Sequence, residues 1–347
     1  MNILRNLRNP LVVTTIVATM IVSNVNGQNN RNRMFHENVP TVELWLSDPA
    51  VLADPATQMY YMTGSGGMQY RSTDLKTWSG PYNVIDPDTT SWMGSRPAVW
   101  AAEPYLIDGK YFYFGTFTNN KTTIANNHNG RIPRRSCHIL AGESAAGPFR
   151  PMNDELYVNP AVPTLDATFF EDTDGKRYLL YCEEWLINDN GTVEAIQLKE
   201  DLSGVVGERM VLFLASDAPW NIEEAGNHNN VTDGPFAFRT ETGKLGIFWT
   251  SWKNGVYTTG VAYSASGKLE GPWVHDPEPI LPGDFGHAML FKDLSGKWFM
   301  SVHSNKNLPG SGDRKERHPY FFEVDLSGDK LVVKYLIERH GSCAFAK

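Results

Sequence analysis

The sequence predicts an all-β fold, a five-bladed β-propeller with four antiparallel strands per blade. Two repeated phrases and one kind of turn predict it. In the first phrase a short apolar strand opens on a polar residue, reaches a tight turn and is answered by an aromatic-rich strand. Its copies begin at Asp48-Pro-Ala-Val-Leu, Glu103-Pro-Tyr-Leu, Asp166-Ala-Thr-Phe-Phe, Asp233-Gly-Pro-Phe and His287-Ala-Met-Leu-Phe. The answering strands are Met59-Tyr-Tyr-Met, Tyr111-Phe-Tyr-Phe, Tyr178-Leu-Leu-Tyr, Leu245-Gly-Ile-Phe-Trp and Trp298-Phe-Met-Ser. The openings stand 55, 63, 67 and 54 residues apart, a period that holds several strands per unit and marks a propeller. A second phrase follows each hairpin and supplies the outer strands: Tyr70-Arg-Ser-Thr-Asp-Leu, His138-Ile-Leu-Ala-Gly-Glu, Ala195-Ile-Gln-Leu, Val261-Ala-Tyr-Ser and Phe321-Phe-Glu-Val-Asp. The turns are Asp108-Gly109, Asp174-Gly175, Thr242-Gly243 and Ser295-Gly296, where glycine supplies the positive φ of a tight hairpin.

Taken in order, residues 1–27 read as a secretory signal peptide. Arg5 and Arg8 precede an apolar run from Leu11 to Val22, and Val25-Asn26-Gly27 offers small residues before a cut. About a dozen apolar residues is short of the ~20 that span a bilayer. Residues 28–40 form a polar leader, and residues 41–347 a single propeller domain. The formal net charge of −8 and the lack of a Lys/Arg stripe exclude a nucleic-acid partner. Cys137, Cys182 and Cys343 are too few for a disulfide framework and lack metal-ligand spacing. The expected location is extracellular or periplasmic, with no membrane partner after signal cleavage and a monomeric state.

Strand direction places the chemistry. If the first strand of each blade runs away from one face, the second returns to it. The loops after second strands therefore gather where the first strands begin, joined by the linkers between blades. Those segments carry Glu183, Glu184, Trp185, Trp252, Arg314, Arg317, Trp92, Trp100, Trp220 and His228. The opposite face receives only tight turns. Asp48, Glu103, Asp166, Asp233 and His287 open the five first strands, so their side chains are expected to meet at the axis.

Two carboxyl groups flanking an anomeric carbon hydrolyse a glycosidic bond, one protonating the leaving oxygen and the other activating water. Positions across a funnel suit the inverting geometry, with carboxyls about 6.5–9.5 Å apart. Crowded acids raise one another's pKa, which keeps one protonated while another stays ionised. Asp-Pro and Asp-Gly-Pro are also ordinary turn starters, but three or four acids in register favour the catalytic reading. Indole faces stack on the C–H faces of sugars, which gives Trp100 and Trp252 a place in a saccharide site.

The ordered motifs Leu46-Ser-Asp48-Pro-Ala-Val, Asp166-Ala-Thr-Phe-Phe-Glu-Asp-Thr-Asp-Gly-Lys, Thr232-Asp233-Gly-Pro-Phe and Gly286-His287-Ala-Met-Leu-Phe resemble glycoside hydrolase family 43 over essentially the whole chain beyond the leader. The resemblance implies a five-bladed propeller that inverts configuration and acts on α-L-arabinofuranosides and β-D-xylosides. It makes Asp48 the general base, Asp166 an auxiliary acid that tunes and orients the donor, and Asp233 the general acid. It also places His287 near the axis, where such a residue helps hold a cation, commonly calcium, or a water.

One departure stands out: the family usually has Glu-Gly-Pro where this chain has Asp233-Gly-Pro. An Asp reaches roughly 1.5 Å less, which matters for proton transfer at hydrogen-bond distance. Three explanations follow: a deeper substrate, another acid, of which Glu184 in Cys182-Glu-Glu-Trp185 is the best placed, or a propeller that binds saccharide without cleaving it. A Glu-Trp pair with Asp-Gly-Pro downstream is similar to a branch of the family with arabinofuranosidase and galactofuranosidase activity. His303, at the pocket rim, and Arg317 are further substrate-binding candidates, together with Glu103.

Overall fold

The computed structural model describes residues 34–88, 90–127, 130–221, 230–281, 284–304 and 317–336. The expected signal segment, the first part of the expected leader, His228, Arg314 and Cys343 lie outside the described residues.

Five antiparallel sheets follow one another along the chain. Blade one holds β1 (His36–Pro40), β2 (Ala50–Asp54), β3 (Met59–Thr63), β4 (Met68–Ser72) and β5 (Thr77–Asn83). Blade two holds β6 (Ala98–Ile107), β7 (Lys110–Asn127), β8 (Gly130–Gly142) and β9 (Arg150–Pro151). Blade three holds β10 (Thr164–Glu171), β11 (Arg177–Glu183), β12 (Thr192–Leu198) and β13 (Val205–Leu214). Blade four holds β14 (Asp233–Arg239), β15 (Leu245–Lys253), β16 (Val256–Ser264) and β17 (Trp273–His275). Blade five holds β18 (Phe285–Lys292), β19 (Trp298–Ser304), β20 (His318–Asp325) and β21 (Val332–Leu336). The described helix amounts to two single turns, Thr41–Glu43 and Ala215–Asp217. The five-bladed propeller expected from the repeats is the observed fold.

One expectation fails at the N-terminal edge. The second half of the polar leader is an element: β1 pairs with β5 through His36↔Gly80, Val39↔Trp78 and Pro40↔Thr77, giving blade one a fifth strand. An outer edge strand needs only backbone pairing and one apolar anchor, here Val39 against the Trp78 cluster. Polar composition therefore hid it.

Second strands are buried on both faces because each sheet is sandwiched between neighbours; in β11 every residue from Tyr178 to Glu183 is buried. Such strands read as continuous apolar runs instead of alternating ones. The outer β13 is largely exposed over its first half. Cores lie between blades, as where Leu180 and Cys182 of blade three meet Trp249 and Ala262 of blade four.

Among the described residues no strand is shared between the first and last blades, and the two meet by packing. Leu46, Val51, Tyr60, Met62 and Trp78 of blade one cluster with Phe291, Phe299 and Phe321 of blade five. Ser301 Oγ donates to Pro49 O at 2.6 Å, and Leu294 N–H donates to Tyr60 Oη at 3.1 Å.

The inner strands share a backbone fault that positions the site. Register breaks between Trp100 and Glu103, Leu165 and Thr168, Asp233 and Phe236, and Gly286 and Met289. At each break stands a left-handed residue: Ala101 (φ 42), Asp166 (φ 61), Gly234 (φ 53) and His287 (φ 58), with Asp48 (φ 59) two residues before β2 pairs. These five positions are structurally equivalent. The repeat openings thus align differently from the expectation: Ala101, not Glu103, matches Asp48, and Asp233 precedes its blade's equivalent position by one residue. Phe321 seals the closing seam and is fully buried. Phe321→Ala is expected to cost about 3–5 kcal/mol of stability, read by denaturant unfolding; a loss below about 1 kcal/mol would show that the seam does not close the ring.

Candidate active site

Asp48 sits at the seam between blades one and five. Its backbone N–H donates to His303 Nδ1 at 3.0 Å, and Ser65 Oγ donates to its Oδ2 at 2.5 Å. Its Oδ1 lies 3.3 Å from His287 Nδ1, 3.2 Å from His303 Nδ1 and 3.9 Å from an Arg317 nitrogen. His303 Nδ1 accepts the peptide proton, so the neutral ring carries its own proton on Nε2 and cannot also donate to the carboxylate. Burial pushes the His303 ring down to about 4, which keeps it neutral. For Asp48, burial alone favours the protonated form, but His287 and Arg317 outweigh it and hold the carboxyl far below the usual range. Asp48 is therefore ionised. His303 is fully buried behind Asp48, not at the rim where the sequence had placed it.

Asp166 faces the same imidazole, 3.8 Å from His287 Nδ1. Its Oδ2 accepts the Gly234 N–H at 2.7 Å, and its own N–H donates to Thr116 Oγ1 at 2.7 Å. Gly234 has no substitute there: a Cβ would meet the His287 ring at 2.9 Å, on a backbone already at positive φ. The Gly of Asp233-Gly-Pro is thus the axial residue of blade four, and the acid beside it is carried into the mouth. Burial, then the charges of Asp233 and Asp48, push the Asp166 carboxyl well above its ordinary value.

Asp233 is half-buried at the start of β14. Tyr257 Oη donates to its Oδ2 at 2.9 Å. Burial raises its pKa to about 7, with Asp48 and Glu184 adding to the rise and Tyr257 and Arg317 opposing it. Asp48 is therefore ionised over a range in which Asp233, up to about neutrality, still keeps its proton.

Glu184 is buried and paired with Arg135, whose Nε donates to Thr118 Oγ1 at 3.1 Å. The Arg135 guanidinium lies over the Trp100 ring, 3.7 Å from its centroid. Burial raises the Glu184 pKa and Arg135 opposes it. Trp252 is exposed and leans on Tyr257, with centroids 5.2 Å apart. Trp220 is core, packed against Trp249 with centroids 4.8 Å apart and planes tilted by 38°; Trp92 and Trp185 are half-buried. Glu103 lies apart from the axial acids, two residues along β6 from Ala101. It is buried, accepts from Thr168 Oγ1 at 2.9 Å and from Tyr105, and burial raises its pKa to about 8. Cys137 and Cys182 are buried free thiols. Arg135, Ser65 and Tyr257 have no motif around them, and sequence reasoning missed all three.

His287 Nε2 is buried with no hydrogen-bond partner among the described residues. Around it the described residues form no cluster of three His, Cys, Asp or Glu side chains able to hold a metal. Calcium takes six to eight oxygen ligands, so a cation at this nitrogen would draw its shell mainly from water.

A propeller whose mouth pairs a carboxyl of depressed pKa with one of raised pKa, ringed by indole and guanidinium faces, is built like a glycoside-cleaving enzyme. The chain belongs to glycosyl hydrolases family 43, whose family model matches residues 38–330. It is similar to an endo-arabinase from Bacteroides thetaiotaomicron, with 34% identity over 83% of this chain and 97% of that one, and a TM-score of 0.71. An endo-1,4-beta-xylanase from the same organism is 20% identical over 87% of this chain and 97% of that one, with a TM-score of 0.67. An alpha-L-arabinofuranosidase from Lactobacillus brevis is 18% identical over 85% of this chain and 97% of that one, with a TM-score of 0.58. These two share the fold alone. A comparison with curated protein sequences returns no match.

Removing one partner of a buried ion pair strands the other. Arg135→Met is therefore expected to destabilise the protein by about 3–5 kcal/mol, measured by chemical denaturation. A change below about 1 kcal/mol would mean that the pair behaves as a solvated one.

Proposed function

We propose that the protein is a secreted or periplasmic inverting glycosidase, acting as a monomer on poly- or oligosaccharides that carry arabinofuranose, xylose or galactofuranose residues, with arabinan the first substrate to test. The observation that carries this reading is geometric: His287 and the Gly234 amide link Asp48, Asp166 and the backbone of Asp233 around one axis, with Asp48 held by Ser65 and Asp233 by Tyr257. The likeness to an endo-arabinase at 34% identity supports the choice of substrate.

Asp48 accepts a proton from water as the water oxygen bonds to the anomeric carbon. The bond from that carbon to the leaving oxygen breaks, its electron pair stays on the oxygen, and Asp233 supplies the proton. No covalent glycosyl-enzyme forms. Asp166 touches both halves, through His287 to Asp48 and through the Gly234 amide to the acid's own backbone. Burial, then Asp233 and Asp48, push it toward its own acid form, so it adds no negative charge beside the donor. Arg317 balances the charge that Asp233 acquires on giving up its proton. A calcium held through water at His287 would supply positive charge to the site, and no step is assigned to it. Arg135 holds Glu184, which leaves Asp233 as the acid despite its shorter reach.

Proton NMR of product formed from arabino-oligosaccharide is expected to show the anomer opposite to that of the substrate. Asp48→Asn and Asp233→Asn are each expected to lower kcat by about 10²–10⁴-fold, the worth of a positioned acid or base, while oligosaccharide binding persists by calorimetry. Retained configuration would remove Asp48 from the role of base. Wild-type binding without any release would make the protein a saccharide-binding propeller. Loss of activity in Glu184→Gln but not in Asp233→Asn would transfer the acid's role to Glu184.

A further inference from the structure

Tyr257 is the one polar side chain among the described residues that hydrogen-bonds to Asp233, and it is held with unusual tightness. Its ring lies flat against Gly286, where a Cβ would stand 2.2 Å from the ring carbons. Its other contacts are His303, stacked at 5.5 Å with 15° between planes, Trp252 at 5.2 Å, and the Arg317 guanidinium 5.4 Å from its centroid. Its phenol is buried, and burial first, then the charge of Asp233, raises its pKa well above the ordinary value. The hydroxyl therefore keeps its proton and acts as a donor.

We propose that Tyr257 is a positioning residue that fixes which oxygen of Asp233 carries the transferable proton. A neutral carboxyl has one oxygen that donates and one that only accepts. Because Tyr257 donates to Oδ2, Oδ2 is the accepting oxygen and the proton resides on Oδ1. No hydrogen bond from a described residue reaches Oδ1, and the side chain is half-buried, so the proton is presented to the open mouth. A shorter acid needs this anchor more than a longer one, since Asp gains reach only by being held at the right rotation. After transfer the same phenol stabilises the carboxylate. The stack on His303 ties the acid's anchor to the residue that holds the backbone of Asp48, so acid and base share one rigid support.

The inference rests on the hydrolase reading, and its test separates the two. Groups facing Asp233 are Tyr257 from β16, Asp166 from β10, Asp48 before β2, Glu184 after β11 and Arg317 before β20. Of these, only Tyr257 changes in the comparison of wild type, Tyr257→Phe and a protein with 3-fluorotyrosine at 257. The phenol favours the ionised acid, so Tyr257→Phe is expected to move the basic limb of the kcat/KM profile to higher pH. The more acidic fluorophenol donates more strongly and is expected to move it to lower pH. On an unactivated oligosaccharide Tyr257→Phe is expected to lower kcat roughly 10-fold or more, part of what a positioned acid contributes. On a dinitrophenyl glycoside, whose leaving group needs no proton, the loss is expected to stay under about threefold. Turnover in the wild type with equal losses on both substrates and unmoved limbs would overturn the role of Tyr257 alone. Wild type without turnover would overturn the hydrolase reading and this inference together.

Discussion

The site depends on five backbone positions held in a left-handed conformation that L residues adopt at a cost of about 1–3 kcal/mol each. Asp48, Ala101, Asp166, Gly234 and His287 occupy them; at the last four the inner strand slips its register, and Asp48 stands just before its strand begins to pair. The slip turns side chains that would lie in the sheet toward the axis, where Asp48, Asp166 and His287 meet. Aspartate tolerates this region better than bulky residues do, which suits the two positions whose carboxyl groups are wanted there. Small residues fill the other two: Ala101, and Gly234, whose missing Cβ leaves room for the His287 ring.

Charge follows from that crowding. Three carboxyl groups and two imidazoles share a space with one guanidinium, and they cannot all ionise. Asp48 takes the cationic partner and a serine hydroxyl and stays charged. Asp166 is deepest among like charges and is driven toward its acid form. Asp233 lies at the edge, half-buried, with a phenol and Arg317 restraining the rise that burial and neighbouring acids impose. The asymmetry between base and acid thus comes from position around the ring more than from the residues, which are all aspartates. The ring's closing seam bears directly on it, because the residue that holds the Asp48 amide, His303, belongs to the last blade.

The sequence carried the fold clearly, since strand, turn and answering strand recur at a propeller's period and no element contradicts them. It also carried Asp48, Asp166 and His287, whose blades repeat in true register. Glu103 and Asp233 mark the limit of that reasoning. Register slips are invisible in composition, so a Glu two residues late and an Asp one residue early looked equivalent to the axial residues. The end of its strand places His303 at the pocket rim and an inter-blade linker places Trp220 in the mouth, whereas packing buries His303 behind Asp48 and Trp220 against Trp249. Tyr257 and Arg135 sit in unremarkable strand sequence; what singles them out is the long-range contact each makes with an acid, and such contacts leave no local pattern. The strand His36–Pro40 was hidden because an edge element needs little apolar content.

Carboxyl carbon NMR of the three aspartates, followed across pH in the wild-type protein, tests the central claim most directly. The account predicts that Asp48 stays ionised through the whole range in which the protein is folded, that Asp233 titrates with a midpoint near 7, and that Asp166 holds its proton well above the ordinary carboxyl range. Three independent titrations near the ordinary value of about 4 would contradict it, because the axial acids would then feel neither burial nor one another.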